Sequence, residues 1–222
     1  MTECPKDQPL EKVSLFSGLS EGDLEIIAQH TVVKTFPANT VVLLEGEKSD
    51  SLYMILEGKV KVFASEDAGN EVILSIQSRG EFFGEMTLVD DAPRSASVVT
   101  IQPTRLMMMS RAAFLECLTA HPEVAYNLIR VLIARVRVLT DNIKSLALLD
   151  VYGRVARTLL SLAAPVGNRL IVQQKLTHQE IANMVGASRE MVTRILKDLK
   201  DRGAISINRK YITIHQDLSA PL

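Results

Sequence analysis

Between Thr31 and Met109 hydrophobic residues come in short, often alternating runs separated by turn residues. Val41–Leu44, Leu52–Leu56, Lys59–Phe63, Glu71–Ile76, Ser95–Val99 and Arg105–Met109 have strand length, with Glu57-Gly58, Ala68-Gly69-Asn70 and Arg79-Gly80 as turns. Many short strands at this spacing predict a sandwich or barrel. Before them, Glu21–Gln29 has helical spacing and an acidic first turn, and after them Ser110 is placed to cap a helix through Leu118.

The period then changes. From Pro122, with His121 as a weak cap, no further Pro or Gly occurs until Gly153, and Leu128, Leu132, Arg135, Leu139, Asn142, Leu146 and Leu149 follow at spacings of 4 and 3. This is a heptad seam with two polar interruptions, which predicts a long helix that pairs with a second copy; the alternative is an amphipathic helix lying on its own strand domain. Some 28 residues at ~1.5 Å each would reach about 40 Å. Asp150 is placed to cap a following helix, Val151–Ala164, and to mark a hinge.

Pro165–Gln174 reads as a short linker containing a strand-like Leu170-Ile-Val172. Thr177 and Glu180 then form a capping box, Gln179–Val185 a short helix, Gly186 a turn, and Ser188 the cap of a second helix to about Lys200. Ile181, Ala182, Val185, Val192, Ile195, Leu196 and Leu199 make the inward face, leaving Arg189, Glu190, Thr193, Arg194 and Lys197 outside. A capped helix, a Gly turn and a second helix with basic residues near its start suit insertion into the major groove of DNA. Gly203-Ala-Ile-Ser-Ile and Lys210-Tyr-Ile-Thr-Ile alternate as a two-stranded wing.

Charge sharpens this reading. The net charge of -1 conceals a division at Asp150: residues 1–150 carry 14 Lys+Arg against 21 Asp+Glu, and residues 151–222 carry 11 against 5. An acidic body with a basic end suggests that the end meets a polyanion. The 222 residues suffice for two modest domains, and charged residues interrupt every apolar run before the ~18 residues a membrane span needs. With no signal-like N-terminus and only Cys4 and Cys117, the expectation is a soluble protein of a reducing, cytoplasmic compartment that meets no membrane.

One segment breaks the strand rhythm. Gly80-Glu-Phe-Phe-Gly-Glu-Met-Thr-Leu88 followed by Pro93-Arg-Ser-Ala96 has the parts of a phosphate clamp: backbone N–H groups at a Gly-flanked turn, then a guanidinium and a hydroxyl that could close on the same anion. The alternative is a Gly packed before a buried helical turn beside a surface Pro-Arg pair. The scattered His30, His121, His178 and His215 read as surface or cap residues, and Met107-Met108-Met109 as packing on a strand with one side to the core and one to the surface.

Taken in order, Phe83-Gly84-Glu85-Met86-Thr87-Leu88, Arg94-Ser95-Ala96, Leu148-Leu149-Asp150-Val151, Arg154-Val155-Ala156 and Gly186-Ala-Ser-Arg-Glu-Met-Val-Thr-Arg194 resemble the cyclic-AMP receptor protein and fumarate-nitrate regulator (Crp/Fnr) family of bacterial transcription regulators, over residues 15 to 215. The resemblance implies an α+β chain: a cyclic-nucleotide-binding jelly-roll (double-stranded β-helix) over residues 1–121, a dimerisation helix over 122–149, and a winged helix-turn-helix over 150–222. It implies an allosteric homodimer rather than an enzyme, with cyclic AMP as expected effector and cyclic GMP, cyclic di-GMP or effector-free DNA binding as alternatives. Gly84, Glu85 and Met86 with Arg94, Ser95 and Ala96 correspond to the ribose and phosphate site; Leu139 and Thr140 stand at the base end, where the family's adenine-binding receptor has a Thr-Ser pair.

On the DNA side the resemblance assigns phosphate or base contacts to Thr177, His178, Gln179, Ser188, Arg189, Glu190, Thr193, Arg194 and Lys197, and implies a near-palindromic target with TGTGA-like half-sites and RNA polymerase as a further partner. Two departures stand out: Leu139 puts an apolar side chain where a hydroxyl would meet adenine, and Thr87 replaces a smaller residue. Two Cys cannot ligate the iron–sulfur cluster of an oxygen-sensing relative, and the His pattern does not suit haem, so no metal, haem or cluster is expected. An architectural DNA-binding protein whose strand domain only dimerises is the contrasting reading; a nucleotide-dependent enzyme lacks a nucleophile, base or metal cluster beside the clamp.

Overall fold

Short β-rich runs between residues 31 and 110 pair into two sheets because their alternating side chains need two apolar interiors. The computed structural model describes residues 10–66, 71–167, 169–172, 174–208, 211–215 and 218; Cys4, the Ala68-Gly69-Asn70 turn and Lys210 lie outside the described residues. The chain divides into two units, Met1–Val136 and Arg137–Leu222.

The first unit begins with two 3-10 turns and α1 (Glu21–Gln29), whose Ser20 accepts from the Asp23 N–H. Eight strands follow: β1 (Thr31–Phe36), β2 (Val41–Leu43), β3 (Ser51–Glu57), β4 (Lys59–Ser65), β5 (Glu71–Ser78), β6 (Phe82–Phe83), β7 (Ser97–Thr100) and β8 (Thr104–Ser110). They form two four-stranded antiparallel sheets, ordered β1-β8-β3-β6 and β2-β7-β4-β5, the jelly-roll expected. The short α2 (Met86–Asp90) interrupts them, and α3 (Arg111–Ala120), capped by Ser110, and α4 (Pro122–Leu148) follow.

Strand β3 is apolar on both faces, which explains its unbroken run. Tyr53 and Ile55 join Leu43, Val60, Phe83, Val98 and Leu106 between the sheets, while Leu52, Met54 and Leu56 face a second core built with Phe16, Leu24, Ile27 and Phe114. Met107 and Met109 belong to that second core, as packing. Met108 corrects the expected surface side: it packs against the inter-sheet core.

The long helix also requires a correction. Leu128 is buried in the helical core and Leu132 packs against it, so this leucine ridge faces the helix's own strand domain. Arg135, expected as a polar interruption in a pairing seam, lies over the Phe82 ring and bonds inside the same unit. Beyond Arg135 the expected seam stays exposed at Leu139 and Leu146, and a second exposed row runs through Ile129, Ile133, Val136 and Ile143 at spacings of 4, 3 and 7. The α4 helix ends at Leu148, and Asp150 then caps α5 (Val151–Leu162) by accepting from the Gly153 N–H.

In the second unit, the expected linker is a hairpin of β9 (Ala163–Val166) and β10 (Arg169–Val172), so Ala163 and Ala164 leave the helix for a strand. Then come α6 (His178–Val185), α7 (Arg189–Asp201), β11 (Ile205–Asn208) and β12 (Tyr211–Ile214). The wing is therefore four-stranded, ordered β11-β12-β10-β9.

Candidate functional site

A cavity of the first unit gathers most of the expected clamp. Gly84, Glu85, Met86, Thr87, Arg94, Ser95 and Ala96 line it, with Arg135, Gln77 and the apolar Leu43, Val62, Phe83 and Val98. Gly84 has φ +83, and a Cβ there would lie 2.6 Å from the Arg94 guanidinium and 3.0 Å from the Ser51 carbonyl. Both the left-handed backbone and the close approach require glycine.

Arg94 is only 3% exposed, so it is not part of the surface Pro-Arg pair of the alternative reading. Its backbone pairs with the loop after β2, accepting from Gly46 N–H and donating to the Glu47 carbonyl. One terminal nitrogen donates to the Gly84 carbonyl (2.6 Å) and Thr87 Oγ1 (2.7 Å), the other to Ser49 Oγ (2.9 Å) and the Ser51 carbonyl (2.7 Å). A guanidinium has five N–H donors. Four are therefore met by neutral oxygens, and the fifth, on Nε, is buried without a partner.

Burial also pulls the Arg94 pKa down, against the raising influence of Tyr53, Glu85 and Asp50. A desolvated cation with neutral partners and a spare donor is suited to an anion, whose charge and lone pairs supply what the protein leaves out. Beside it the Ser95 hydroxyl is exposed, with one long contact to Met86 Sδ at 3.7 Å.

Glu85 is buried and its Oε1 accepts from Arg135 at 2.7 Å, while the other terminal nitrogen of Arg135 donates to the Phe82 carbonyl at 2.5 Å. The long helix thus reaches the cavity through Arg135, a residue the pattern had placed elsewhere. Leu139 and Thr140 lie on the last turns of α4, in the second unit, with Leu139 46% exposed. Ser49, Thr87 and Gln77 were not among the expected site residues. Thr87 had stood out only as a departure within the motif; the Ser49 contact joins residues 45 apart in sequence.

In the second unit, Thr177 and Glu180 form the reciprocal capping box, Gly186 is left-handed with φ 63, and Ser188 caps α7 by accepting from the Met191 N–H. All seven expected inward residues, Ile181 through Leu199, are buried. Arg189, Glu190, Thr193, Arg194 and Lys197 are exposed on α7, and Thr177 and Gln179 are exposed at the start of α6. Thr193 Oγ1 donates to the Arg189 carbonyl and pairs with His178 Nδ1 at 2.8 Å, tying the two helices together. Among the described residues, the side chains of Arg189, Glu190 and Lys197 have no protein partner.

Arg154, on α5, braces this element. Its Nε donates to the Val185 carbonyl (2.8 Å), and its terminal nitrogens donate to the carbonyls of Leu149 (3.0 Å) and Gly186 (3.3 Å). A single cation so meets the carbonyl end of α6 and the residue after α4, where helix dipoles favour positive charge.

Comparison with known proteins matches one domain family to each unit. The cyclic nucleotide-binding domain family matches residues 33–121, and the Crp-like helix-turn-helix domain family matches residues 153–217. A CRP-like cAMP-activated global transcriptional regulator of Mycobacterium tuberculosis is 36% identical over 212 residues, 94% of this chain and 95% of that protein. The cAMP-activated global transcriptional regulator CRP of Salmonella typhimurium is 35% identical over 86% of this chain and 93% of its own length. Among solved structures, the c-di-GMP responsive global regulator CLP of Xanthomonas campestris superposes with a TM-score of 0.78 at 28% identity, covering 89% of this chain and 100% of that one. No helix among the described residues is long and apolar enough to cross a membrane.

Proposed function

Because the chain belongs to the Crp/Fnr family of transcription regulators, we propose that it is a cytoplasmic, homodimeric, sequence-specific DNA-binding regulator whose affinity for DNA is set by cyclic AMP. The observation that carries the effector reading is the buried Arg94, which keeps one N–H without a partner and lines a cavity together with Ser95, Glu85 and apolar side chains. A cyclic nucleotide offers that site a phosphodiester monoanion, ribose hydroxyls and a flat base. The similar mycobacterial and enteric regulators are cAMP-activated. The second reading is cyclic di-GMP, to which the similar Xanthomonas regulator responds, together with the loss of a hydroxyl at Leu139.

The domains we assign are residues 1–121 for the effector, 122–149 for dimerisation and 150–222 for DNA. The exposed Ile129, Ile133, Val136 and Ile143 row is the surface we assign to the second subunit. Gly84, Glu85, Met86, Arg94, Ser95 and Ala96 would meet the phosphate and ribose, and Leu139 and Thr140 the base. Arg189, Glu190 and Arg194 would read base edges, and Thr177, His178, Gln179, Ser188, Thr193 and Lys197 the DNA backbone.

An effector can shift such a protein only by binding one conformation better than another. Arg135 ties α4 to the carboxylate at the cavity, and Arg154 ties the residue after α4 to the turn before α7. Those contacts are where a difference in binding would be felt. RNA polymerase is the further partner we infer. The deciding experiment measures affinity for a near-palindromic TGTGA-containing duplex with cyclic AMP, cyclic GMP or cyclic di-GMP. Cyclic AMP alone should tighten binding tenfold or more; tightening by cyclic di-GMP alone would replace the first reading with the second, and equal binding throughout would leave a DNA-binding protein without this control.

A further inference from the structure

The two ends of the Arg94 guanidinium face different surroundings. Nη2 donates to Ser49 Oγ and the Ser51 carbonyl, and neither residue lines the cavity. Nη1 donates to the Gly84 carbonyl (2.6 Å) and to Thr87 Oγ1 (2.7 Å), and both of these residues do line it. Nη1 is therefore the end that an anion in the cavity reaches, and its two N–H groups are already spent. The hydroxyl of Thr87, a residue only 7% exposed, directs its own proton at the carbonyls of Gly84 (3.4 Å) and Ser49 (3.5 Å), so it meets the guanidinium as an acceptor.

A phosphate oxygen can take Nη1 only by displacing one of those two acceptors. The Gly84 carbonyl is backbone, fixed on a residue with φ +83, whereas the Thr87 oxygen sits on a side chain that can turn. An ionised oxygen bonds a guanidinium more strongly than a neutral hydroxyl does. We propose that Thr87 is an affinity-determining residue of the cavity: in the free protein its hydroxyl occupies the place of the effector's phosphate on Arg94, and binding exchanges the one for the other. The protein then responds to a higher effector concentration than Arg94 alone would set. The inference rests on the cyclic-nucleotide reading above. It predicts the opposite of a purely structural role. A hydroxyl needed only to brace Arg94 would stabilise the free and bound states alike, whereas one given up on binding stabilises the free state alone and lowers affinity by the same amount.

The test uses the full-length protein and Thr87→Val, which keeps the shape of threonine and removes the hydroxyl, with calorimetry of cyclic AMP binding. Thr87→Val should bind cyclic AMP about five- to tenfold more tightly than the wild type, and Thr87→Ser, which keeps the hydroxyl, should stay within about twofold of it. Adenosine, which shares the ribose and base and carries no phosphate, should show the same inhibition constant against cyclic AMP on all three proteins. Thermal melting without nucleotide shows that Thr87→Val is folded and should place it below the wild type, a gap that closes at saturating cyclic AMP; Thr87→Ala serves as the second variant if valine does not fit. Unchanged or weaker binding of cyclic AMP by the variants without the hydroxyl, or an equal gain for adenosine, would overturn the role of Thr87 while wild-type binding keeps the cyclic-nucleotide reading in place. Failure of both the wild type and Thr87→Val to bind cyclic AMP would overturn both.

Discussion

The guanidinium of Arg135 stands 2.7 Å from the Glu85 carboxylate, which is only 4% exposed, while the arginine side chain itself is 29% exposed. The pair is thus asymmetric: the anion is desolvated and the cation is half in water. Arg135→Leu should leave a buried carboxylate without its counter-charge, which destabilises strongly when both groups are buried. With a partly solvated cation the loss should be about 2 kcal/mol in urea denaturation. Adding Glu85→Leu to Arg135→Leu should recover part of it, and a double-mutant cycle showing no coupling would mean that the pair does not hold the helix to the cavity.

Arg94 has a structural role as well as a binding one. Arg94→Leu should remove the donors to Gly84, Thr87, Ser49 and Ser51 together, orphaning oxygens on two stretches of chain, 49–51 and 84–87. A loss of at least about 3 kcal/mol is expected, since each buried unmet acceptor costs roughly 1 kcal/mol or more. Arg94→Lys should not restore it, because an ammonium cannot span four acceptors laid out for a planar fork. Thermal melting of both variants without nucleotide checks this; wild-type stability in Arg94→Leu would return the residue to the surface role its sequence context suggests.

The second unit was legible because its signals are local. A capping box, a Gly turn and a capped amphipathic helix fix α6 and α7 from side chains three or four residues apart, and every expected inward residue is inward. The long helix was not, because α4 is apolar on two faces. Leu128 and Ile129 are neighbours, one buried and one 52% exposed, and nothing in their spacing says which face meets the strand domain. The hairpin at Ala163 was hidden by the helix propensity of alanine, which pairing with β10 overrides.

The clamp was legible as residue types and not as geometry. Arg94 is buried by Ser49 and Ser51, 45 and 43 residues away, a contact no window of sequence contains. Gln77 escaped for the opposite reason. A polar residue after Ile76 reads as the end of a strand, yet β5 runs on to Ser78 and carries the carboxamide inward.

The exposed row on α4 separates two kinds of helix mutant. Ile133, 48% exposed, can accept a charge in a lone subunit, so Ile133→Glu should fold and sediment as a monomer if this row joins two copies. Leu128→Glu places the same charge in the helical core and should unfold the strand domain instead. Analytical ultracentrifugation distinguishes them. An Ile133→Glu protein that still sediments as a dimer would place the subunit contact elsewhere.

Cys117 gives a pH signature. Burial pushes its thiol up to about 11 from 9.0, so the native state holds the proton after the unfolded chain has released it. The contribution to stability is therefore complete below about pH 9 and is lost as the pH rises toward 11. Allowing for screening it should not exceed about 2 kcal/mol. Urea midpoints at pH 8 and pH 10.5 should lie further apart in the wild type than in Cys117→Ala; equal gaps in the two proteins would mean that the thiol ionises in place.

The exposed face of α7 predicts two different ways of losing DNA affinity. Arg194 leans on Met191, with one terminal nitrogen 3.5 Å from the sulfur, and the rest of its fork is free for a guanine O6/N7 edge. Arg194→Ala should cost about 1–3 kcal/mol on a TGTGA-containing duplex and relax preference at a single base pair, because a bidentate contact carries sequence information. Lys197, three residues beyond Arg194 and exposed, is placed for phosphate. Lys197→Ala should weaken specific and unrelated duplexes alike and reduce the salt dependence of binding by about one unit of slope, since one counterion fewer is released. Two copies of the same helix related by a two-fold axis read inverted half-sites about one helical turn apart. Selection from a random duplex pool should therefore return an inverted repeat for the wild type, the same repeat with one degenerate position for Arg194→Ala, and the unaltered repeat at lower affinity for Lys197→Ala. Direct repeats, or equal relaxation by both variants, would remove α7 as the base-reading element.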